Sequence, residues 1–180
     1  MNLFENEKVA VRRFVPEDWA DVLEMVQTNH ASEFAACDEL WPADEGAVKE
    51  ITNYIGTDDA MYAIVAKNIN HVVAFVNFNR ITEENYLDIG HIMNLNYAGK
   101  DYEYEGLKLL CDHAFATMGI AGIRAYWAKD DTVKLEPLMK LGMKIVATYQ
   151  NNYFDGREGT FTGCELKASK AEYAEAVKGN

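Results

Sequence analysis

Gly99 and Lys100 stand in the stretch NYAGKDYEYEG, residues 96–106, between a segment of alternating polarity and one of strong helical periodicity. A helix N-terminus offers unpaired backbone N–H groups and the positive end of a macrodipole, so a glycine and a lysine at that junction could bind a phosphate or another anion. Asp101 and Glu103 in the same stretch argue the other way. A carboxylate some 4–6 Å from a diphosphate costs about 1 kcal/mol in water and several at lower effective dielectric. One lysine does not clearly offset two acids, and a Cβ at each position hinders the close backbone approach that glycine allows around phosphates. The alternative is that the acids favour the helix N-terminus by charge–dipole attraction and fill the anion site from within.

Metal and disulfide chemistry are disfavoured. Cys37, Cys111 and Cys164 are odd in number and far apart, without a C-x-x-C pair or a neighbouring histidine cluster; they read as buried thiols. The net charge of −12 would repel a nucleic-acid backbone or an anionic membrane unless basic residues gathered on one face. No such patch is visible. Excess acid attracts cations, amines among them, or merely keeps the protein soluble. A chain of 180 residues, 49% hydrophobic with 12 Gly and 3 Pro, suits one well-buried core better than two, so residues 1–180 are expected to form a single domain. No run approaches the roughly 18 apolar residues of a membrane span. The first residues, MNLFENEKVAVRRF, lack the apolar core of a secretion signal, and a cytoplasmic location is expected.

The elements that must position the loop follow from periodicity. Residues 8–14 alternate as a strand, and Pro16-Glu17-Asp18 opens a helix with Trp19, Val22, Leu23 and Val26 at helical spacing. A short helix is expected over residues 47–55. Residues 61–67 and 72–80 are β-rich runs around the turn NINH, and residues 86–95 form the next strand. In that strand Leu87, Ile89, His91, Met93 and Leu95 share one face, with Tyr86, Asp88, Gly90 and Asn94 on the other. Leu107, Leu110, Cys111, Ala114, Phe115 and Met118 then mark a helix that ends at Gly119. Strands over residues 123–128, 143–150 and 160–166 enclose a helix containing Pro137 and stopped at Gly142, and Ser169-Lys170-Ala171-Glu172 is a capping box for a terminal helix to about residue 178.

The order of these elements, with the wording of three stretches, resembles the GNAT acetyltransferases, which transfer an acetyl group from acetyl-coenzyme A to an amine. It looks most like the branch that includes the ribosomal-protein N-terminal acetyltransferases. LDIGHIMNLNYAGKDYEYEG has the outline of the family's fourth strand, coenzyme loop and central-helix start; GIRAYWAKDD resembles its fifth strand and following turn; LMKLGMKIVATY resembles the lekLGF segment opening its sixth strand. The resemblance runs from about Val9 to Leu166. It implies an α/β fold: a mixed, mostly antiparallel, twisted sheet of six or seven strands, splayed between the family's fourth and fifth strands, with flanking helices and the 107–118 helix packed across it.

The same resemblance implies site residues. Acetyl-coenzyme A would lie in the splay, pantetheine along Met93–Leu95 and diphosphate near Gly99–Tyr102, with backbone N–H groups near Met93 and Leu95 holding the thioester carbonyl. The family's phosphate pattern, Q/R-x-x-G-x-G/A, falls on Ala98, Asp101 and Glu103, and all three depart; Gly99, Lys100, Tyr102 and Glu105 match the branch's GKGY..E wording. Restoring the pattern with Asp101→Gly and Glu103→Ala is therefore expected to tighten acetyl-coenzyme A at least about tenfold and to cost about 1 kcal/mol of stability. Asp131 and Lys134 stand where the family often has Asn and Ser that contact coenzyme or orient the following helix; Asp131 is counted at the coenzyme site, where it brings a further negative charge, and Lys134 could pair with it or reach a phosphate, an ordinary surface ion pair being the expectation. Asp88 occupies the place of a glutamate base, His91 on the apolar face is expected as a hydrogen-bonded core histidine, and Leu138 replaces the usual acid tyrosine. Glu33, Asp38, Glu39 and Trp41 could edge an acidic, aromatic cleft for a cationic amine, or form a solvated loop anchored by the tryptophan. Two functions follow: an acetyl-coenzyme A-dependent N-acetyltransferase of a primary amine, small molecule or protein N-terminus, working as monomer or homodimer; or a GNAT-fold binding or regulatory protein that has lost the coenzyme.

Overall fold

Alternation in the three β-rich runs before the loop builds a meander, seen in a computed structural model that describes residues 1–178. Its strands are β1 (Asn2–Glu5), β2 (Val9–Arg12), β3 (Met61–Ala66), β4 (His71–Ile81) and β5 (Tyr86–Met93); α1 (Trp19–His30) and α2 (Glu45–Gly56) interrupt it between β2 and β3. After the loop come α3 (Tyr102–Thr117), β6 (Gly122–Ala128), α4 (Thr132–Lys140), β7 (Lys144–Asn152), β8 (Thr160–Ser169) and α5 (Lys170–Val177). One eight-stranded sheet results, in the order β1-β2-β3-β4-β5-β6-β8-β7. The sequence implies six or seven strands. The additional one, β1, is a short and largely exposed edge strand whose residues Asn-Leu-Phe-Glu carry no clear alternation.

Neighbouring strands run antiparallel throughout except for β5 and β6. That parallel pair joins only Tyr86–Asp88 to Gly122–Arg124. Beyond Asp88 and Arg124 the two strands part, which creates the expected splay.

The two faces of the sheet bury different helices. Val22, Met25 and Val48 of α1 and α2 pack with Phe14, Val65 and Phe75 on one face. On the other, Leu107, Leu110, Cys111, Ala114 and Phe115 of α3 form the expected stripe against Ile64, Ile123 and Leu166. Gly106 lets α3 ride low on the sheet, since a Cβ there would stand 2.4 Å from Ile64 Cδ1. Strand parity holds in β5: Leu87, Ile89 and Met93 belong to the α3-side core and Ile92 to the α1–α2 side. Pro137 is accommodated within α4, and Gly142, at φ +84°, turns the chain after its end. Ser169 and Glu172 form the capping box of α5. No helix among the described residues is long and apolar enough to cross a membrane.

Candidate active site

Leaving β5, the chain makes a short 3-10 turn at Leu95–Tyr97, a left-handed step at Gly99 (φ +74°) and a second at Asp101 (φ +61°), which is the N-cap of α3. In that conformation the Asp101 carboxylate makes no capping hydrogen bond to the helix. It accepts instead from Lys140 Nζ of α4 at 2.7 Å, and Lys140 also pairs with Glu136 at 2.9 Å. These two acids hold the Lys140 ammonium above its ordinary range. The first-turn amides of α3 are thus left uncapped by Asp101. Lys100 is exposed, and its ammonium has no ion-pair partner among the described residues.

Glu103, which lines the inner wall of the cleft beside the loop, is also partnered. It is buried, and its Oε1 pairs with Nδ1 of His91, which is equally buried on β5. Glu103 lies one turn before Leu107, on the stripe that faces the sheet, and parity turns His91 to the same side. The two acids, alike in the sequence, are thus differently held: Asp101 is paired with Lys140 at the surface, and Glu103 is buried against His91. Between the loop and α4 remains a shallow cleft whose walls include Met93, Gly99, Tyr102 and Lys140 together with the carboxylates of Asp101, Glu103 and Glu136.

Asp131 and Lys134 also differ from expectation. They are not a surface pair: both are buried, at 2% and 3% exposure. Asp131 N-caps α4 by accepting from the Lys134 backbone N–H at 3.3 Å, and it accepts from Trp127 Nε1 at 3.1 Å. Lys134 Nζ lies 3.9 Å from Asp131 Oδ2 and 4.6 Å from the centre of the Trp127 ring, an arrangement that combines charge pairing with cation–π attraction. Burial pulls the Lys134 pKa below its ordinary value, against the opposing pull of Asp131, Asp38 and Glu103 around it. Trp127 completes the link, its ring centre 5.1 Å from that of His91.

The remaining sequence-derived residues fall in separate places. Asp88, on the face opposite His91, sits at the closed end of the splay, where Arg124 donates to it at 3.2 Å and Arg80 lies 3.9 Å away. Met93 is buried in the core, and its carbonyl accepts from Asn29 Nδ2 at 2.8 Å; Leu95 N–H donates to Thr28 Oγ1 at 3.2 Å. Ala98 packs against the core edge. Glu33 is exposed, and Trp41 packs edge-on to Phe75, with ring centres 5.1 Å apart, inside the α1–α2 core. The cleft near this segment is instead formed by Cys37 and Asp38 with Tyr126, Trp127, Tyr149 and Phe161, and measures about 470 Å³. Phe154 N–H donates to the Ala36 carbonyl at 2.9 Å and ties the α1–α2 connection to the β7–β8 connection over it. Cys37, expected as a buried thiol, is only half-buried, while Cys111 and Cys164 are buried as expected; all three are free. Among the described residues no His, Cys, Asp or Glu cluster could hold a metal ion.

Residues 8–144 match the acetyltransferase (GNAT) domain model, and the chain belongs to that family. No curated protein sequence matches the chain. Among solved structures, an acetyltransferase of the GNAT family from Bacillus anthracis superposes with a TM-score of 0.77 at 18% identity, covering 93% of this chain and 98% of that one. The ribosomal-protein-S5-alanine acetyltransferase from Vibrio fischeri gives 0.72 at 14% identity, covering 94% and 97%. Spermidine N-acetyltransferase from Vibrio cholerae, solved with CoA and spermine, gives 0.70 at 12% identity, covering 94% and 99%. At these identities the likeness is one of fold.

Proposed function

We propose that the protein is an acetyl-coenzyme A-dependent N-acetyltransferase acting on a primary amine. The observation that carries this reading is the state of the loop: Asp101 is paired with Lys140 and Glu103 with His91, so each acid lining the cleft at the N-terminus of α3 has a partner, and Asp101 does not cap the helix amides. Family members use acetyl-coenzyme A, and three buried polar atoms at the splay, His91 Nε2, Asn94 Nδ2 and Glu103 Oε2, have no partner among the described residues. Orphaned donors and acceptors of this kind suit a ligand that carries its own amides and carbonyls.

When bound, acetyl-coenzyme A would supply a thioester whose carbonyl carbon accepts the amine nitrogen, the C–N bond forming as the C–S bond breaks. Lys100 and the first-turn amides of α3 would hold the diphosphate. Met93 and Leu95 would line the pantetheine path, with Tyr102 beside it. Asp88, buried at 8% exposure on the face opposite α3, is assigned the proton that the incoming ammonium must lose before it can attack. Leu138 is wholly buried where the family's acid tyrosine would stand, so water returns a proton to the departing thiolate.

One observation favours a second reading. Trp127, Asp131 and Lys134 fill the inner splay with a paired, buried cluster, as a GNAT-fold binding or regulatory protein without coenzyme would. Calorimetric titration with acetyl-coenzyme A separates the two. Saturable micromolar binding, followed by free-thiol release in the presence of primary amines, is expected. Absence of binding at millimolar acetyl-coenzyme A would overturn the acetyltransferase reading in favour of the second.

A further inference from the structure

The cleft beyond Trp127 carries information about the acceptor. Its wall is aromatic: Tyr126 and Tyr149 lie with ring centres 6.4 Å apart, and Phe154 and Phe161 with ring centres 6.2 Å apart. Tyr126 and Phe154 keep 40% and 54% of their surface exposed, and the Arg124 guanidinium lies over the Tyr126 ring at 5.1 Å. The only ionisable carboxylate in its lining is Asp38, which has no hydrogen-bond or salt-bridge partner among the described residues. No lysine or arginine lines it. Just beneath, the ammonium of Lys134 has Asp131, Asp38 and Glu103 around it, and Arg157 acts on the same cleft at Cys37.

These features select a ligand by chemistry. An ammonium is drawn by the Asp38 carboxylate, which accepts no hydrogen bond among the described residues, and by the negative faces of the rings. A flat aromatic body stacks on the exposed rings more favourably than a flexible chain does. A substrate carboxylate or phosphate meets no counter-charge in the lining, and a polyamine finds one lining carboxylate for its several ammonium groups. We infer that the cleft over Tyr126, Tyr149, Phe154 and Phe161 binds a primary arylalkylamine, its ammonium at Asp38 and its ring against the aromatic wall. This assignment rests on the acetyltransferase reading, and it names the acceptor class for that reaction.

The test titrates 2-phenylethylamine into the full chain by calorimetry without coenzyme, beside spermidine and a short peptide with a free N-terminus. Binding of 2-phenylethylamine about tenfold tighter than either comparator is expected. Asp38→Asn should weaken it about fivefold or more, and Phe154→Ala should weaken it about threefold or more; both positions are solvent-accessible, and unchanged thermal unfolding checks that the fold is kept. Spermidine or peptide binding as tightly as 2-phenylethylamine, or both variants binding it like the wild type, would overturn the assignment. A parallel acetyl-coenzyme A titration keeps the two failures apart. If the amine binds as expected and the coenzyme does not, the acetyltransferase reading falls while the cleft's ligand class stands; if the coenzyme binds and the amine does not, the cleft assignment alone falls.

Discussion

Asp101→Gly and Glu103→Ala, made singly and together, separate the roles of two acids that the sequence treats alike. Asp101 stands in the left-handed region, where an L residue costs about 1 kcal/mol relative to glycine. Its ion pair with Lys140 joins side chains 43% and 37% exposed, and such surface pairs contribute about 0–1 kcal/mol. The two effects offset, so Asp101→Gly should leave stability within about 0.5 kcal/mol of the wild type; the loss of about 1 kcal/mol expected from a glycine in the first turn does not apply at this N-cap. Glu103→Ala removes one partner of a buried pair and should cost about 3–5 kcal/mol, a fall in Tm on the order of 10 °C. Toward acetyl-coenzyme A the order reverses. Removing the Asp101 charge at about 6 Å in near-water dielectric is worth about 0.7 kcal/mol, or about threefold in affinity, and the gain should shrink as salt rises. Glu103→Ala should add little, because its carboxylate is already held by His91. Thermal unfolding and calorimetry at two ionic strengths measure both arms. An unchanged Tm in Glu103→Ala, or a double variant binding tenfold tighter than Asp101→Gly alone, would refute this account of the loop.

Asp88→Asn should lower kcat about a hundredfold with little change in amine KM, measured as thiol release under saturating coenzyme; a lowered Tm with unchanged kcat would make Asp88 only a partner of Arg124. Gly106→Ala should destabilise by about 1–3 kcal/mol through the clash with Ile64, read from chemical denaturation. Glu172 is held at about 2 against an ordinary 4.5 by hydrogen bonds from the Ser169 backbone, Lys144 and the Ser169 hydroxyl. A depressed carboxyl stabilises above its unfolded pKa and loses that contribution as pH falls through the folded one. The Tm difference between wild type and Glu172→Gln should therefore be full above pH 4.5 and vanish toward pH 2, and a difference independent of pH would exclude this linkage.

Much of the architecture is legible because it rests on local periodicity. The alternation of residues 86–93 gives β5 and its two faces, and the stripe of α3 gives the helix that covers one of them. Joined, the two periods locate the His91–Glu103 pair as well: Glu103 precedes Leu107 by one helical turn, and the parity of β5 points His91 at the same helix. A family template read position by position hides this, because it treats Glu103 as a failed glycine. The burial of Asp131 and Lys134 depends on Trp127, which reaches them from β6. The cleft at Asp38 depends on the Phe154–Ala36 hydrogen bond, which joins segments far apart in the chain. Trp41, by contrast, is taken up by Phe75. Contacts of that range leave no periodic trace in the sequence, which is why Glu33, Asp38, Glu39 and Trp41 read alike there although only Asp38 lines the cleft.

The His91–Glu103 contact spans 12 positions of chain and so closes the β5–α3 loop into a ring pinned at both ends. A ring of that length has few conformations to lose. Its left-handed steps at Gly99 and Asp101 are then set before any ligand arrives, and the free energy of binding need not be spent on ordering the backbone. Glycines in such loops confer flexibility and close approach together. Here the flexibility is supplanted by the pin, so a residue with a side chain at position 101 becomes tolerable, and further substitutions in this loop should be accepted as long as the pin is kept.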